Sequence, residues 1–170
     1  MKKIRCFVLS FLLLCLCATA FSQVIKGTYA IKNVVTGMLL RIKDANGKNG
    51  TPLVAYTPVD WKCMTWDFKH VEGQTYQLQN LFTGKTFQPT DTALSEGVAL
   101  RQQPLSTGQV NQMYVFIAVG DGQYQIRLKG TELYVTPSDS KGSINSNIIL
   151  AKKNEGKLQF WTIYEQHPTQ

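Results

Sequence analysis

Short runs of alternating hydrophobic and polar residues recur along this chain with a regular period. Tyr29, Tyr76 and Tyr124 each lie within such a run, and they are 47 and 48 residues apart. Alternation over four to eight residues is typical of a half-buried β-strand. Each run is followed by a turn that contains glycine: Thr36-Gly37, Thr83-Gly84 and Lys129-Gly130. The third copy is two residues shorter between its tyrosine and that glycine.

The far end of each unit carries a second periodic landmark. Each unit closes on a large aromatic residue, at Trp66, Tyr114 and Trp161, with spacings of 48 and 47 residues. Landmarks that keep one period indicate a triplicated unit. The repeats are predicted at about 27–70, 73–118 and 121–164, within one domain over residues 23–170.

The segments between these landmarks predict further short strands separated by Asn-Gly, Thr-Gly, Asp-Gly and Lys-Gly turns. The candidates are residues 38–42, 53–56, 98–101, 114–119, 133–136 and 147–151. Beyond the N-terminal apolar run, no stretch keeps helical periodicity over three turns. About four strands per unit predict an all-β protein of about twelve strands, closed with pseudo-three-fold symmetry so that few edges are exposed.

The first 22 residues have the layout of a secretory signal peptide. Lys2, Lys3 and Arg5 precede an apolar run over residues 7–17, and small residues follow. Cleavage is expected after Ala20 or Ser22. The apolar run is short for a bilayer span, which needs ~20 residues. We therefore expect a secreted, extracellular or periplasmic protein without an integral membrane span after cleavage.

Removal of that segment changes the cysteine count and the charge. Cys63 is the only cysteine after residue 22, so no internal disulfide forms, and burial is the favoured state of this thiol over a reactive one. Fifteen basic and eleven acidic residues remain, and only Lys152-Lys153 places two basic residues side by side. Scattered positive charge does not indicate a nucleic-acid partner.

The ends of the three units resemble the Gln-x-Trp signature of ricin B-type lectins. Gln159-Phe160-Trp161 is intact, whereas Gln112-Met113-Tyr114 and Met64-Thr65-Trp66 are altered copies. The Thr-Gly turns, Asn49-Gly50, Glu96-Gly97 and the repeat length fit the same family. This resemblance implies a β-trefoil, a pseudo-three-fold barrel with capping hairpins. Such a barrel would be filled by the periodic aromatics: Trp66, Tyr114, Trp161, Tyr29, Tyr76 and Tyr124.

The resemblance also implies a shallow sugar site in each repeat, formed by an acidic residue, a stacking aromatic and an asparagine. In the first repeat Arg41, Tyr56 and Cys63 occupy these positions; in the second, Gln88, Gln103 and Asn111. In the third they are Tyr134, Lys152 and Leu158, none of which matches. The tentative carbohydrate-binding residues are Tyr56, Asp44, Asn46, Asn49, Asn111 and Gln103.

Two aromatic residues have alternative interpretations. Tyr56 is either the stacking platform for a sugar or a partly exposed strand tyrosine beside a polar loop. Trp61 lies in a loop outside the repeat pattern. It is either a contact surface, since an exposed tryptophan is unusual, or a cap on the barrel.

Chemistry-bearing motifs are sparse, so neither an enzyme nor a metal or cofactor site is expected. His70 and His167 are the only histidines, and no nucleophile motif or phosphate loop is present. Two binding functions remain open. The favoured one is a non-catalytic module for a glycan or polysaccharide. The other is an inhibitor-type or protein-interaction trefoil, with Trp61 or residues 93–96 at its surface, since loops vary freely on a rigid scaffold.

Overall fold

The computed structural model describes residues 23–170, and the segment interpreted as a signal peptide lies outside them. These residues form an all-β structure, as predicted. Its twelve strands are β1 (Thr28–Asn33), β2 (Leu39–Ile42), β3 (Leu53–Tyr56), β4 (Thr65–Glu72), β5 (Thr75–Asn80), β6 (Thr86–Pro89), β7 (Leu100–Gln103), β8 (Tyr114–Gly120), β9 (Gln123–Leu128), β10 (Leu133–Pro137), β11 (Ile148–Lys152) and β12 (Phe160–Glu165). In the described part of the chain no helix is long and apolar enough to cross a membrane.

Six antiparallel strands close into a barrel. The order around it is β1, β4, β5, β8, β9 and β12, and β12 pairs with β1 from Tyr29↔Glu165 to Asn33↔Trp161. The remaining strands form three hairpins, β2–β3, β6–β7 and β10–β11. Four strands per unit, repeated three times, make this fold the predicted β-trefoil.

The barrel interior is filled by aromatic residues from all three repeats. Trp66, Tyr114 and Trp161 are almost completely buried. Their polar atoms donate to backbone carbonyls of the hairpins: Trp66 Nε1 to Leu40 O at 3.2 Å, Trp161 Nε1 to Val135 O at 3.0 Å and Tyr114 Oη to Phe87 O at 3.2 Å. Each ring therefore fills the core and fastens a hairpin to the barrel.

A short 3₁₀ helix precedes the last strand of every repeat, at Lys62–Met64, Val110–Gln112 and Lys157–Gln159. In the second repeat, the buried Gln112 side chain accepts from Ser106 N and donates to Pro104 O. In the third, Gln159 donates to Lys152 O and accepts from Asn154 N. Met64 stands at this position in the first repeat and is fully buried, so the glutamine contacts are absent there.

Strand pairing corrects the alignment of the third repeat. Lys32 pairs with Leu39, and Arg127 pairs with Tyr134, so both repeats have the same length from the opening strand to the hairpin. The turn glycine, Gly130, lies earlier in its turn than Gly37 does, which made the third copy look two residues shorter. Tyr134 is consequently the counterpart of Leu39.

Candidate functional site

A cavity of about 220 Å³ lies beside the first repeat, and we call it the first-repeat cavity. It is lined by Arg41, Ala45, Trp61, Lys62, Cys63, Phe82 and Gln170. Its volume is below the ~300–1,000 Å³ of pockets that hold drug-sized ligands. The size is suited to a single small ring or a terminal group.

Arg41 contributes a buried positive charge to this cavity. The residue is 7% exposed, and its guanidinium carbon lies 4.0 Å from the centroid of the Tyr56 ring and 5.8 Å from that of Trp61. Its Nε is buried without a hydrogen-bond partner. Among residues 23–170, Arg41 forms no ion pair.

Trp61 is held in place by the loop that precedes the 3₁₀ helix Lys62–Met64. Thr65 Oγ1 donates to Trp61 O at 3.0 Å, and Lys62 N donates to Gln170 O at 2.7 Å. The Trp61 ring is half-buried, 6.3 Å from the Tyr56 ring and tilted 33° to it. Trp61 immediately precedes the 3₁₀ helix, at the position that Gln109 and Gly156 occupy in the other repeats, so no aromatic residue is repeated there.

Phe82 reaches the cavity from the turn of the second repeat. The buried Asn80 side chain donates to Cys63 O at 3.2 Å and accepts from Phe82 N at 3.1 Å, which fixes this turn against the first repeat. Phe82 is 52% exposed. Phe82 was not predicted as a site residue, although an aromatic residue within a polar turn is a signal of an exposed ring.

Cys63 is buried in a small apolar cluster with Ala30, Leu39 and Met64, as expected from the sequence. Trp61 and Tyr56 pack against the same cluster. The thiol therefore forms part of the wall of the cavity where an asparagine was expected from the family pattern.

The predicted polar residues of the adjacent loop do not line the first-repeat cavity. Asp44 is exposed and adopts a positive φ of 53°. Asn46 Oδ1 accepts from Lys48 N at 3.0 Å, and Asn49 Oδ1 accepts from Lys85 Nζ at 2.6 Å. These amides therefore fasten the loop to itself and to the second repeat, and only the intervening Ala45 reaches the cavity.

Tyr56 lies beneath Arg41. The guanidinium covers one face of its ring, so a sugar that stacked on Tyr56 would need the other face. In this geometry Tyr56 positions Arg41, whereas Trp61 and Phe82 supply the aromatic walls of the cavity.

In the second repeat, Gln103 lies on β7 opposite Thr86, and Asn111 lies in the 3₁₀ helix. Asn111 Oδ1 is buried without a partner, whereas Gln88 Oε1 accepts from Gln112 Nε2 at 2.8 Å. Gln88, which occupies the Arg41 position in the second repeat, therefore already has a hydrogen-bond partner within the protein.

The third repeat needs a correction at two of the three positions. Tyr134 pairs with Ala151 as Leu39 pairs with Tyr56, so the counterparts of Arg41 and Tyr56 are Thr136 and Ala151. The predicted Tyr134 lies two residues before Thr136, as the shifted turn glycine explains, and the predicted Lys152 lies one residue after Ala151. Neither Thr136 nor Ala151 matches the acidic or aromatic residue of the family pattern.

Two other cavities lie elsewhere. One of about 600 Å³ is bordered by Leu94, Glu96, Glu132 and Lys152, and another of about 280 Å³ by residues 23–26 with Tyr29 and Tyr124. The Glu132 carboxylate already pairs with Arg127 at 2.6 Å. Among residues 23–170 no group of three or more His, Cys, Asp or Glu side chains is placed to hold a metal ion.

The geometry of the barrel and its repeats agrees with comparisons to known proteins. A family model described as a ricin-type beta-trefoil lectin domain-like family matches residues 20–87 and 62–151. The chain therefore belongs to the ricin-type β-trefoil lectin domain-like family. No curated protein matches it.

Solved structures show the same fold at low sequence identity. A designed three-fold symmetric protein, ThreeFoil, superposes with a TM-score of 0.78 at 21% identity, covering 82% of this chain and 99% of that one. The Rhizoctonia solani agglutinin gives 0.75 at 20% identity, with 85% and 99% covered. A Macrolepiota procera ricin B-like lectin, solved with lactose, gives 0.70 at 20% identity, also with 85% and 99% covered.

Proposed function

We propose that this chain is a secreted, non-catalytic carbohydrate-binding module and that the first-repeat cavity is its binding site. The proposal is carried by the convergence of Trp61, Phe82 and Arg41 on one small cavity in a member of a lectin-like family. Sugar recognition requires a flat apolar surface for the ring and fixed polar groups for its substituents. The cavity offers both.

The other repeats support a single-site protein. The Arg41 counterparts are Gln88, whose amide is bonded to Gln112, and Thr136 on β10. Neither of these two repeats places an arginine against an aromatic ring at this position. Since the three repeats share a backbone but differ in these side chains, binding is assigned to the first repeat.

A glycan array probed with residues 23–170 tests this proposal. Trp61→Ala and Phe82→Ala should each weaken binding by roughly tenfold or more, because each removes an aromatic wall. Val35→Ala is the matched control, since Val35 is 51% exposed at the equivalent turn position of the first repeat. Tyr56→Ala should also weaken binding, through loss of support for Arg41. Circular dichroism confirms that each variant is folded.

Two outcomes contradict the assignment. Binding that persists in both Trp61→Ala and Phe82→Ala would keep a lectin and discard this cavity. An array without any bound glycan would oppose carbohydrate binding and favour the protein-interaction alternative. Pull-downs would then target residues 93–96, where Leu94 is 40% exposed, because Trp61 is half-buried against Tyr56.

A further inference from the structure

Arg41 is a cation that the fold buries without a counter-charge. It is more than nine-tenths buried, and within residues 23–170 its Nε has no hydrogen-bond partner. Burial of an unpaired charged group is costly, and aromatic stacking offsets only part of that cost. A ligand that brings a negative charge would complete this site.

Arg127 provides a contrast within the same molecule. Its Nη1 donates to Glu132 Oε1 at 2.6 Å, so this arginine has a carboxylate partner although its Nε is also buried and unpaired. No acidic side chain lines the first-repeat cavity, and Lys62 adds a second cationic residue to the wall. The neighbouring Asp44 and Asp60 are exposed. The pKa of Tyr164 is raised by burial and, to a smaller extent, by the charge of Asp60. Both charged side chains in the lining of the cavity, Arg41 and Lys62, are therefore cationic.

We infer that the first-repeat cavity binds a saccharide that carries a carboxylate, with Arg41 as the residue that recognises this group. The planar guanidinium presents donors in a fork that matches a carboxylate. Trp61 and Phe82 supply apolar surface for the ring of the same sugar residue. The inference rests on the proposed carbohydrate-binding function and specifies its ligand class.

Matched probes separate the charge from the sugar. Isothermal titration calorimetry compares oligogalacturonate with its uncharged methyl ester, and sialyllactose with its uncharged methyl ester. The first pair tests a uronic acid and the second tests a sialic acid. Any purification tag is placed at the N-terminal end, because Gln170 forms part of the cavity wall. In one of the pairs, the acid should bind at least roughly tenfold more tightly than its neutral partner.

Arginine variants assign the preference to a residue. Arg41→Gln introduces the residue found at the equivalent position of the second repeat and should reduce the preference to within about twofold. Arg101→Gln is the matched control, because Arg101 is an exposed arginine on β7, and it should retain the full preference. Arg41→Lys keeps the charge without the fork. It should bind the acid with intermediate strength, and it provides a readout should Arg41→Gln fail to fold.

The results distinguish this inference from the proposed function. Equal binding of each acid and its methyl ester overturns the inference while leaving a lectin that does not recognise the carboxylate. A preference that persists in Arg41→Gln, or tighter binding of a sulfated than of a carboxylated sugar, also overturns it. Absence of binding to every glycan defeats both.

Discussion

Tyr114 differs in chemistry from the two residues that occupy the equivalent barrel position in the other repeats. Trp66 and Trp161 reach their hairpin carbonyls through an indole N–H, whereas Tyr114 does so through a titratable hydroxyl. Burial raises the pKa of Tyr114 well above its ordinary value. The second repeat therefore contains a pH-dependent contact that the other two lack.

The stability of the protein should consequently fall at high pH in a way that depends on Tyr114. Below pH 10 the hydroxyl is protonated in both states. Above it the unfolded chain loses this proton, whereas the folded protein retains it, so unfolding becomes more favourable by up to about 1.4 kcal/mol per pH unit. At neutral pH, Tyr114→Phe should cost about 1 kcal/mol, because Phe87 O loses its donor.

Urea unfolding of the wild type and Tyr114→Phe at pH 7 and above pH 10 measures this effect. The stability deficit of the variant should shrink and then reverse as pH rises. A deficit that stays constant across this range would show that Tyr114 ionises in the folded protein as it does in the unfolded chain.

The sequence predicted only some of the residues at the site. Tyr56 and Trp61 were identified because aromatic residues in strands and loops carry a readable signal. Arg41 was noted only as a departure from the family pattern, and Phe82 was missed. Arg41 belongs to the site because its guanidinium lies against the rings of Tyr56 and Trp61. Phe82 belongs to it because Asn80 holds the turn of Phe82 against Cys63. Contacts between repeats are not encoded by spacing along the chain.

At the scale of elements, the loops before the three 3₁₀ helices differ in what holds them. Gln112 and Gln159 bind the backbone of their loops through both ends of the amide. Met64 offers no such bonds, and the first loop is instead held by Thr65 and by contacts of Lys62 and Val59 with the C-terminal segment. The first-repeat cavity lies at this differently anchored loop.

Gln112→Met should reproduce the first-repeat residue in the second repeat and destabilise the protein by roughly 1–3 kcal/mol. Ser106 N and Pro104 O would lose their partner, and the side chain of Gln88 would lose its donor. Chemical denaturation measures the change, with the exposed Gln109→Met as control, expected within about 0.5 kcal/mol. Equal effects of the two substitutions would show that the Gln112 contacts contribute nothing to stability.

The strands themselves were largely predictable, because alternation and turn residues act locally. The predicted strand at residues 53–56 coincides with β3. The predicted strand at residues 98–101 begins two residues before β7 (Leu100–Gln103). The register error in the third repeat arose at Gly130, since a glycine marks a turn without fixing its position within that turn. Only the pairing of Arg127 with Tyr134 settles the register.

At the scale of the whole molecule, three similar units form one closed barrel but present different surfaces. The β1–β12 pairing joins the ends of the described domain, so the repeats share one core. Their hairpins and loops carry Arg41, Gln88 and Thr136 at equivalent positions. The fold therefore supplies three equivalent positions, and the proposed function assigns binding to the first of them.

The stoichiometry of glycan binding tests this account most directly. Calorimetric titration of residues 23–170 with the tightest-binding glycan from the array should give one site per chain, and Trp61→Ala should weaken that binding by roughly tenfold or more. Two or three sites per chain, or one site whose affinity is unchanged in Trp61→Ala, would contradict the assignment of binding to the first-repeat cavity.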